Sequence, residues 1–200
     1  MDFYSHNSVA VLKFPAGEGY PRLTRKVLSE LTDLLATVRR ERLFAGVVIA
    51  ANDESFATGA DIEEIASLSG VAARDFARAG QELFDAIENY PLPVVAAIRG
   101  FCLGGGLDLA LACHARLATY DSSFGHPGGS LGLITGWGGT QRLPRRIGKA
   151  QALQLLLTGE RVPATQALTL GLVDELVTSQ DLIEVAARRI SRGAVSPQRR

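Results

Sequence analysis

Two features of the sequence predict an α/β fold. Two short apolar runs rich in valine and isoleucine, 46–51 and 94–98, are typical of strands that are covered on both faces. Each run is followed by a glycine-containing junction and then by apolar residues at helical spacing. Repeated strand-then-helix units indicate an α/β architecture, and 200 residues suffice for one domain with a substantial core.

The individual elements follow from the same patterns. We predict strands at 9–14, 46–51, 94–98, 116–119 and 172–177, and helices starting at Leu23 and near Asp61 and covering 71–89, 107–113, 149–157, 163–170 and 181–191. Gly159 and Gly171 fit the ends of helices. We expect a core domain at 1–180 and a C-terminal helix with a solvated arginine-rich tail at 181–200.

Composition excludes several classes of function. Lys plus Arg equals Asp plus Glu at 21 each, so no overall positive charge favours nucleic acid. No apolar run is long enough to cross a bilayer, and the first ten residues lack the pattern of a signal peptide. Cys102 and Cys113 have no CxxC spacing, and we predict that they are buried, reduced thiols. We therefore expect a cytoplasmic protein without membrane or nucleic-acid partners.

The common catalytic motifs are absent or misleading. Residues 128–132 match the G-x-S-x-G pattern of a hydrolase, but that fold needs a histidine after the serine, and all three histidines precede Ser130. The chain has no phosphate-binding P-loop and no G-x-G-x-x-G dinucleotide fingerprint. Three scattered histidines without H-E-x-x-H make a metal site improbable, so we predict none.

Two junctions remain, and they share one physical form. Phe56 to Asp61 and Arg99 to Asp108 each follow a buried strand and lead into a helix, whose first N–H groups lack partners within the helix. Two such junctions side by side can direct two N–H groups at one oxygen, which is the arrangement of an oxyanion hole. The alternative is that the glycines only permit close packing of helix and strand.

These segments resemble the signatures of the crotonase superfamily, the enoyl-CoA hydratase/isomerase family. The runs from Phe124 to Gly148 and from Leu157 to Val173 match that family as well, so the similarity covers about 47–177 in the family's order. The resemblance implies a spiral of ββα units, here with a shortened C-terminal helical region. It also implies trimers or dimers of trimers and a CoA thioester as substrate, with no separate cofactor.

The resemblance assigns roles to residues at matching motif positions. The N–H groups of Ala60 and Gly105 would hold the thioester oxygen, Asp108 would handle protons, and Asp61 would mainly start a helix. A further set is implied to contact the substrate: Ala57, Gly59, Asp61, Ile62, Gly104, Gly128, Leu133, Gly136 and Trp137. Trp137 fits a place beside the acyl pocket and a place in the core equally well.

The sequence departs from the family at informative positions. Hydratases of the family generally use two glutamates, where this chain has Asp108 and Gly128. Dienoyl-CoA isomerases and aroyl-CoA dehalogenases of the family have an aspartate near the position of Gly136, so the resemblance does not favour either activity. We predict that His126, a titratable residue, is a loop residue before Pro127. We expect an enzyme acting on a 2- or 3-enoyl-CoA, and the alternative is a noncatalytic acyl-CoA-binding or assembly subunit.

Overall fold

The computed structural model describes residues 1–17 and 19–197 and contains two sheets. Nine strands are present in this part of the chain: β1 (Asp2–His6), β2 (Val9–Lys13), β3 (Gly46–Ala50), β4 (Val94–Ile98), β5 (Phe101–Leu103), β6 (Ala115–Thr119), β7 (Ser123–Gly125), β8 (Val162–Pro163) and β9 (Glu175–Val177). The large sheet has the order β1-β2-β3-β4-β6-β9, and the small sheet has the order β5-β7-β8. All neighbours in the large sheet are parallel except β1 and β2.

Eight α-helices surround these sheets. They are α1 (Arg25–Glu41), α2 (Ile62–Ala66), α3 (Gly70–Glu88), α4 (Gly105–Ala112), α5 (Gly139–Ile147), α6 (Lys149–Thr158), α7 (Ala164–Thr169) and α8 (Leu182–Ser191), all within the described residues. Short 3₁₀ turns add Pro127–Leu131 and Ser179–Asp181. Helix α3 begins at Ser69, whose hydroxyl accepts a hydrogen bond from the N–H of Ala72 and so satisfies a free donor of the first turn.

The repeating unit is a strand of the large sheet, a strand of the small sheet and a helix. The sequence β4-β5-α4 forms one such unit, and β6-β7 followed by a 3₁₀ turn and α5 forms the next. Strands β5 and β7 pair in parallel, with Leu103 opposite Gly125. The unit therefore carries the chain from the large sheet to the small one before each helix, which confirms the predicted crotonase-like spiral of ββα units.

The inner strands of the large sheet are buried on both faces, whereas the edge strand β1 is exposed. Residues of β3 and β4 that point to one side, such as Val47 and Ile49, join the main core with α1 and α3. Residues that point to the other side, such as Val48 and Val95, pack with α8 in a second core. This two-sided burial is why 46–50 and 94–98 carry apolar residues at every position rather than at alternate ones.

Most predicted elements are present, with several corrections. The helix predicted at 107–113 begins two residues earlier, at Gly105, and the strand predicted at 172–177 is formed only at Glu175–Val177. The sequence does not predict strands β1, β5, β7 and β8 or helix α5, and Pro163, predicted to start a helix, belongs to β8. Helix α8 starts at Leu182, one residue after its predicted start at 181, and the predicted tail residues Arg199 and Arg200 lie outside the described residues.

Candidate functional site

A cavity of about 770 Å³ opens next to the two glycine-containing junctions. Its wall combines the first junction, helices α2 and α3, the start of α4 and the segment 126–137. Most of the side chains are apolar, including Ile65, Phe76 and Leu131. A cavity of this size with few polar groups is typical of a small-molecule site.

The two junctions lie side by side because their backbones pair. Ala57 forms an isolated parallel bridge with Cys102, and the N–H of Leu103 donates to the carbonyl oxygen of Ala57 at 2.9 Å. As a result, a Cβ on Gly105 would lie 3.5 Å from the nitrogen of Ala60. Neither the Ala60 N–H nor the Gly105 N–H has a protein acceptor among the described residues. Both line the cavity, so two free donors share one part of its wall.

Each of the three consecutive glycines has a structural reason, the backbone conformation at Gly104 and a close approach at Gly105 and Gly106. Gly104 has φ of 51°, a left-handed conformation that side chains disfavour. A Cβ on Gly105 would lie 2.5 Å from Cζ3 of Trp137, and one on Gly106 would lie 2.3 Å from the carbonyl oxygen of Ala57. The glycines are therefore consistent with both interpretations of the sequence. They permit close packing of helix and strand, and they leave the Gly105 N–H open to the cavity, as an oxyanion hole would require.

Asp108 lies in the first turn of α4 and is completely buried. The Thr135 hydroxyl donates a short hydrogen bond to Asp108 Oδ2, whereas Oδ1 has no hydrogen-bond partner among the described residues. Burial raises the pKa of Asp108 from 3.8 to about 7. The Thr135 hydroxyl, the N–H groups of Trp137 and Gly139 and the charge of Arg142 act in the opposite direction and lower this pKa.

His126 is the unexpected member of the site. We expected a loop residue before Pro127, and the residue does follow β7, but its side chain is only 4% exposed and its Nε2 lies 3.5 Å from Asp108 Oδ1. Burial lowers the pKa of His126 to about 4, so its ring is neutral at neutral pH. Asp108 and His126 thus form a buried pair in the cavity wall.

Gly128 carries no side chain at the position where the resemblance implies the second glutamate of hydratases. A Cβ there would lie 3.2 Å from the carbonyl oxygen of Leu133, which is close but not prohibitive. Gly136 and Leu133 also line the cavity. Trp137 does so as well, and it packs edge-on against Phe76 at 5.1 Å, so its cavity and core placements are both correct.

Three of the remaining sequence candidates line the cavity and two lie outside its wall. Gly59, Gly104 and Ile62 contribute to the wall. Ala57 is fully buried behind the junction. Asp61 starts α2, as expected, by accepting a hydrogen bond from the N–H of Glu64 at 3.0 Å.

Two functional neighbours of Asp108 were missed in the sequence. Thr135 is 27 residues away along the chain, and no spacing rule connects the two. Gly139, the first residue of α5, approaches so closely that a Cβ there would lie 2.1 Å from Asp108 Oδ1. The only indication in the sequence is the pair of glycines at 138–139, where α5 begins, because glycines permit a close approach of the backbone to a neighbouring group.

Other classes of site find no support in the described part of the chain. No group of three or more His, Cys, Asp or Glu side chains is arranged to hold a metal ion there. Cys102 and Cys113 are free and buried, as expected. None of the helices described is both long and apolar enough to cross a bilayer.

Known proteins resemble this chain over most of its length. The family model described as enoyl-CoA hydratase/isomerase matches residues 4–199. The fatty acid oxidation complex subunit alpha of Shewanella loihica is 42% identical over 193 residues, which are 94% of this chain and 27% of that protein. The chain therefore spans about a quarter of the length of this curated relative.

Solved structures agree with this match. The enoyl-CoA hydratase of Bacillus anthracis superposes with a TM-score of 0.90 at 33% identity, over 96% of this chain and 76% of that one. DspI of Pseudomonas aeruginosa gives a TM-score of 0.91 at 31% identity, over 98% of this chain and 75% of that one. The chain belongs to the enoyl-CoA hydratase/isomerase family of the crotonase superfamily.

Proposed function

We propose that this chain is an enzyme that binds an acyl-CoA thioester and moves a proton on a 2- or 3-enoyl-CoA. The observation that carries the proposal is Asp108, a fully buried carboxyl group with a pKa of about 7 in the wall of an apolar cavity. A carboxyl group with a pKa close to the working pH can both accept and return a proton. A noncatalytic binding protein has no need of such a group.

The thioester oxygen is proposed to sit between the N–H groups of Ala60 and Gly105. Support comes from their adjacency, their exposure to the cavity and their lack of other acceptors among the described residues. The Gly105 N–H also begins an eight-residue helix, so the helix dipole adds positive potential there. Fixed donors of this kind stabilise a developing negative charge on oxygen by roughly 3–4 kcal/mol each.

Asp108 is the proposed proton carrier. In its ionised form the carboxylate takes a proton from the α-carbon of a 3-enoyl thioester, and the C–H electron pair moves into a dienolate whose charge rests on the thioester oxygen. Asp108 then returns the proton to the γ-carbon, which leaves the 2-enoyl thioester and the carboxylate restored. The Thr135 hydroxyl donates to Oδ2, whereas Oδ1 has no hydrogen-bond partner among the described residues. We propose that Oδ1 carries the proton on one lone pair, which leaves its other lone pair open to a neighbouring donor.

Isomerisation fits this site better than hydration. Hydration needs one group to orient water and another to deliver a proton to carbon, and Gly128 offers no side chain for the second task. Among the described residues that line the cavity, Glu63 is the other carboxylate, and it is exposed in α2 rather than buried beside Asp108. One buried carboxylate suffices to move a proton between two carbons of the same substrate.

The proposed acyl-CoA would place its chain among the apolar side chains of the cavity. Arg22 lines the cavity and is 57% exposed, and it forms an ion pair with Asp61 at 3.0 Å. We propose that Arg22 also meets a phosphate of the CoA moiety. Arg25 instead pairs with Glu64 at 3.3 Å, and it does not contribute to the cavity wall.

The decisive experiment follows the absorbance of the conjugated thioester with panels of 2-enoyl-CoA and 3-enoyl-CoA. We expect absorbance to appear with 3-enoyl substrates and the rate to fall by roughly 10³-fold in Asp108→Asn. Asp121→Asn, an exposed aspartate between β6 and β7, is the matched control. Calorimetric binding of CoA thioesters without turnover on either panel would favour a noncatalytic acyl-CoA-binding subunit, and absence of binding would overturn the proposal entirely.

A further inference from the structure

The second titratable group of the buried pair has no role in the proposed function. We propose that His126 is a positioning residue whose neutral ring donates a hydrogen bond from Nε2 to Asp108 Oδ1 and so holds the carboxylate for proton transfer. This inference rests on the proposed function, because it concerns the proton carrier of the same site.

Three unsatisfied polar atoms meet at this point of the molecule. Asp108 Oδ1 and both ring nitrogens of His126 are buried without hydrogen-bond partners among the described residues. An unsatisfied buried polar atom destabilises a protein, so several in one place call for an explanation. Oδ1 and Nε2 are 3.5 Å apart, so a small shift brings them within hydrogen-bond distance of each other. The N–H groups of Trp137 and Gly139 also act on the Asp108 carboxyl group, but they offer no partner to the ring of His126.

The fold holds His126 at this place through the small sheet. Cys102 of β5 pairs with Phe124 of β7, and the N–H of Gly104 donates to the carbonyl oxygen of Gly125 at 2.9 Å. The residue after Gly125 therefore lies next to the first turn of α4, which carries Asp108. Pro127 follows at once and begins a 3₁₀ turn, so the backbone at His126 has little freedom.

The protonation states of the pair allow His126 to donate a hydrogen bond and Asp108 to accept it. Burial lowers the pKa of His126 to about 4 and raises that of Asp108 to about 7, so the ring is neutral when the carboxylate forms. A neutral imidazole has one N–H to donate. Arg142 of α5 and Cys102 of β5 are the other titratable groups that interact with Asp108. Arg142 is already held by Asp85 and Glu88.

Substrate binding is the step that closes this contact. The present separation of 3.5 Å exceeds the length of about 2.9 Å that an N–H···O bond prefers. Hydrogen bonds of catalytic groups are commonly long in ligand-free structures and shorten when substrate excludes water. The shortened bond would favour the ionised form of Asp108 in an apolar cavity that otherwise disfavours it.

The test compares two substitutions at one position. His126→Leu removes the donor. We expect the acid limb of kcat, which reports the pKa of Asp108 in the substrate complex, to move up by about one pH unit, with KM little changed. His126→Gln places an amide N–H near the former Nε2, and we expect it to restore the wild-type profile to within about 0.3 pH unit. An unchanged profile in His126→Leu would overturn the inference. So would a His126→Gln profile shifted as far as that of His126→Leu, since an amide can donate but cannot relay a proton.

A second measurement keeps this test independent of turnover. The infrared carbonyl band of protonated Asp108, identified by its loss in Asp108→Asn, is titrated in the wild type and in each His126 variant with a bound, unreactive saturated acyl-CoA. The same upward movement is expected in His126→Leu. If no enoyl-CoA is turned over, the proposed function fails while this titration still decides the role of His126. His126→Phe, which keeps a ring but has no donor, replaces the leucine variant if that variant does not fold.

Discussion

Replacing Asp108 with asparagine should stabilise the fold, and by an amount that grows with pH. The carboxyl group is fully buried, and its pKa rises from 3.8 in the unfolded chain to about 7 in the folded protein. Between these two values the folded state binds more protons than the unfolded state. The wild-type protein therefore loses stability as pH rises through this window, and the loss is complete above the folded pKa.

The size of the effect follows from the two pKa values. The rise from 3.8 to about 7 corresponds to about 4 kcal/mol of folding free energy, of which about 2–3 kcal/mol falls between pH 5 and pH 8. Asparagine has the same shape, still accepts the hydrogen bond from Thr135 and carries no charge, so the loss disappears. For a chain of 200 residues, the difference corresponds to roughly 5–10 °C in Tm.

The assay is thermal unfolding of both proteins at pH 5 and pH 8, with the change in Tm read as variant minus wild type. We expect this difference to increase by roughly 5–10 °C from the lower to the higher pH. Asp121→Asn, at an exposed position, controls for the loss of one negative charge at the surface. A Tm difference that stays constant across this pH range would refute the reasoning, because it would mean that burial does not disfavour the ionised carboxylate.

Two further substitutions probe the cavity wall. Gly105→Ala should lower kcat/KM on an enoyl-CoA by about 10²-fold, since its Cβ would lie 2.5 Å from Cζ3 of Trp137 at the proposed oxyanion hole. Gly70→Ala, where no atom lies within 4 Å, is the control, and activity of Gly105→Ala within twofold of the wild type would contradict the assignment. Gly128→Glu should introduce hydration of 2-enoyl-CoA, measured as loss of conjugated absorbance, because its Cβ needs only a small shift of Leu133. Gly128→Gln has the same size without the charge, and equal hydration by both variants would count against a missing carboxylate as the cause.

The layered architecture could be predicted because it depends on local patterns. The runs at 46–50 and 94–98 are apolar at every position, and such runs form strands only where both faces are covered. Strands β5 and β7 escaped prediction because three residues are too few to show an alternating pattern. Helix α5 escaped because it contains Pro144, which normally indicates the end of a helix.

The sequence by itself determined where along the chain the candidate site residues lie. Ala60, Gly105 and Asp108 each follow a recognisable junction between a strand and a helix, so their neighbourhood could be inferred from the motifs alone. Free N–H groups at the start of a helix are a local property of the backbone, which is why this inference needs no coordinates.

Only the tertiary structure decided what surrounds Asp108, the proposed proton carrier. Thr135, Gly139 and His126 reach Asp108 from separate segments of the chain, and their contacts depend on how the small sheet and α5 pack against α4. The pKa values of Asp108 and His126 depend on the same packing, because the free energy of a buried charge is set by all the atoms that replace water around it. The pattern of apolar residues along a chain does not show which polar side chains will lose contact with water together. The buried Asp108–His126 pair could therefore be identified only in the folded structure.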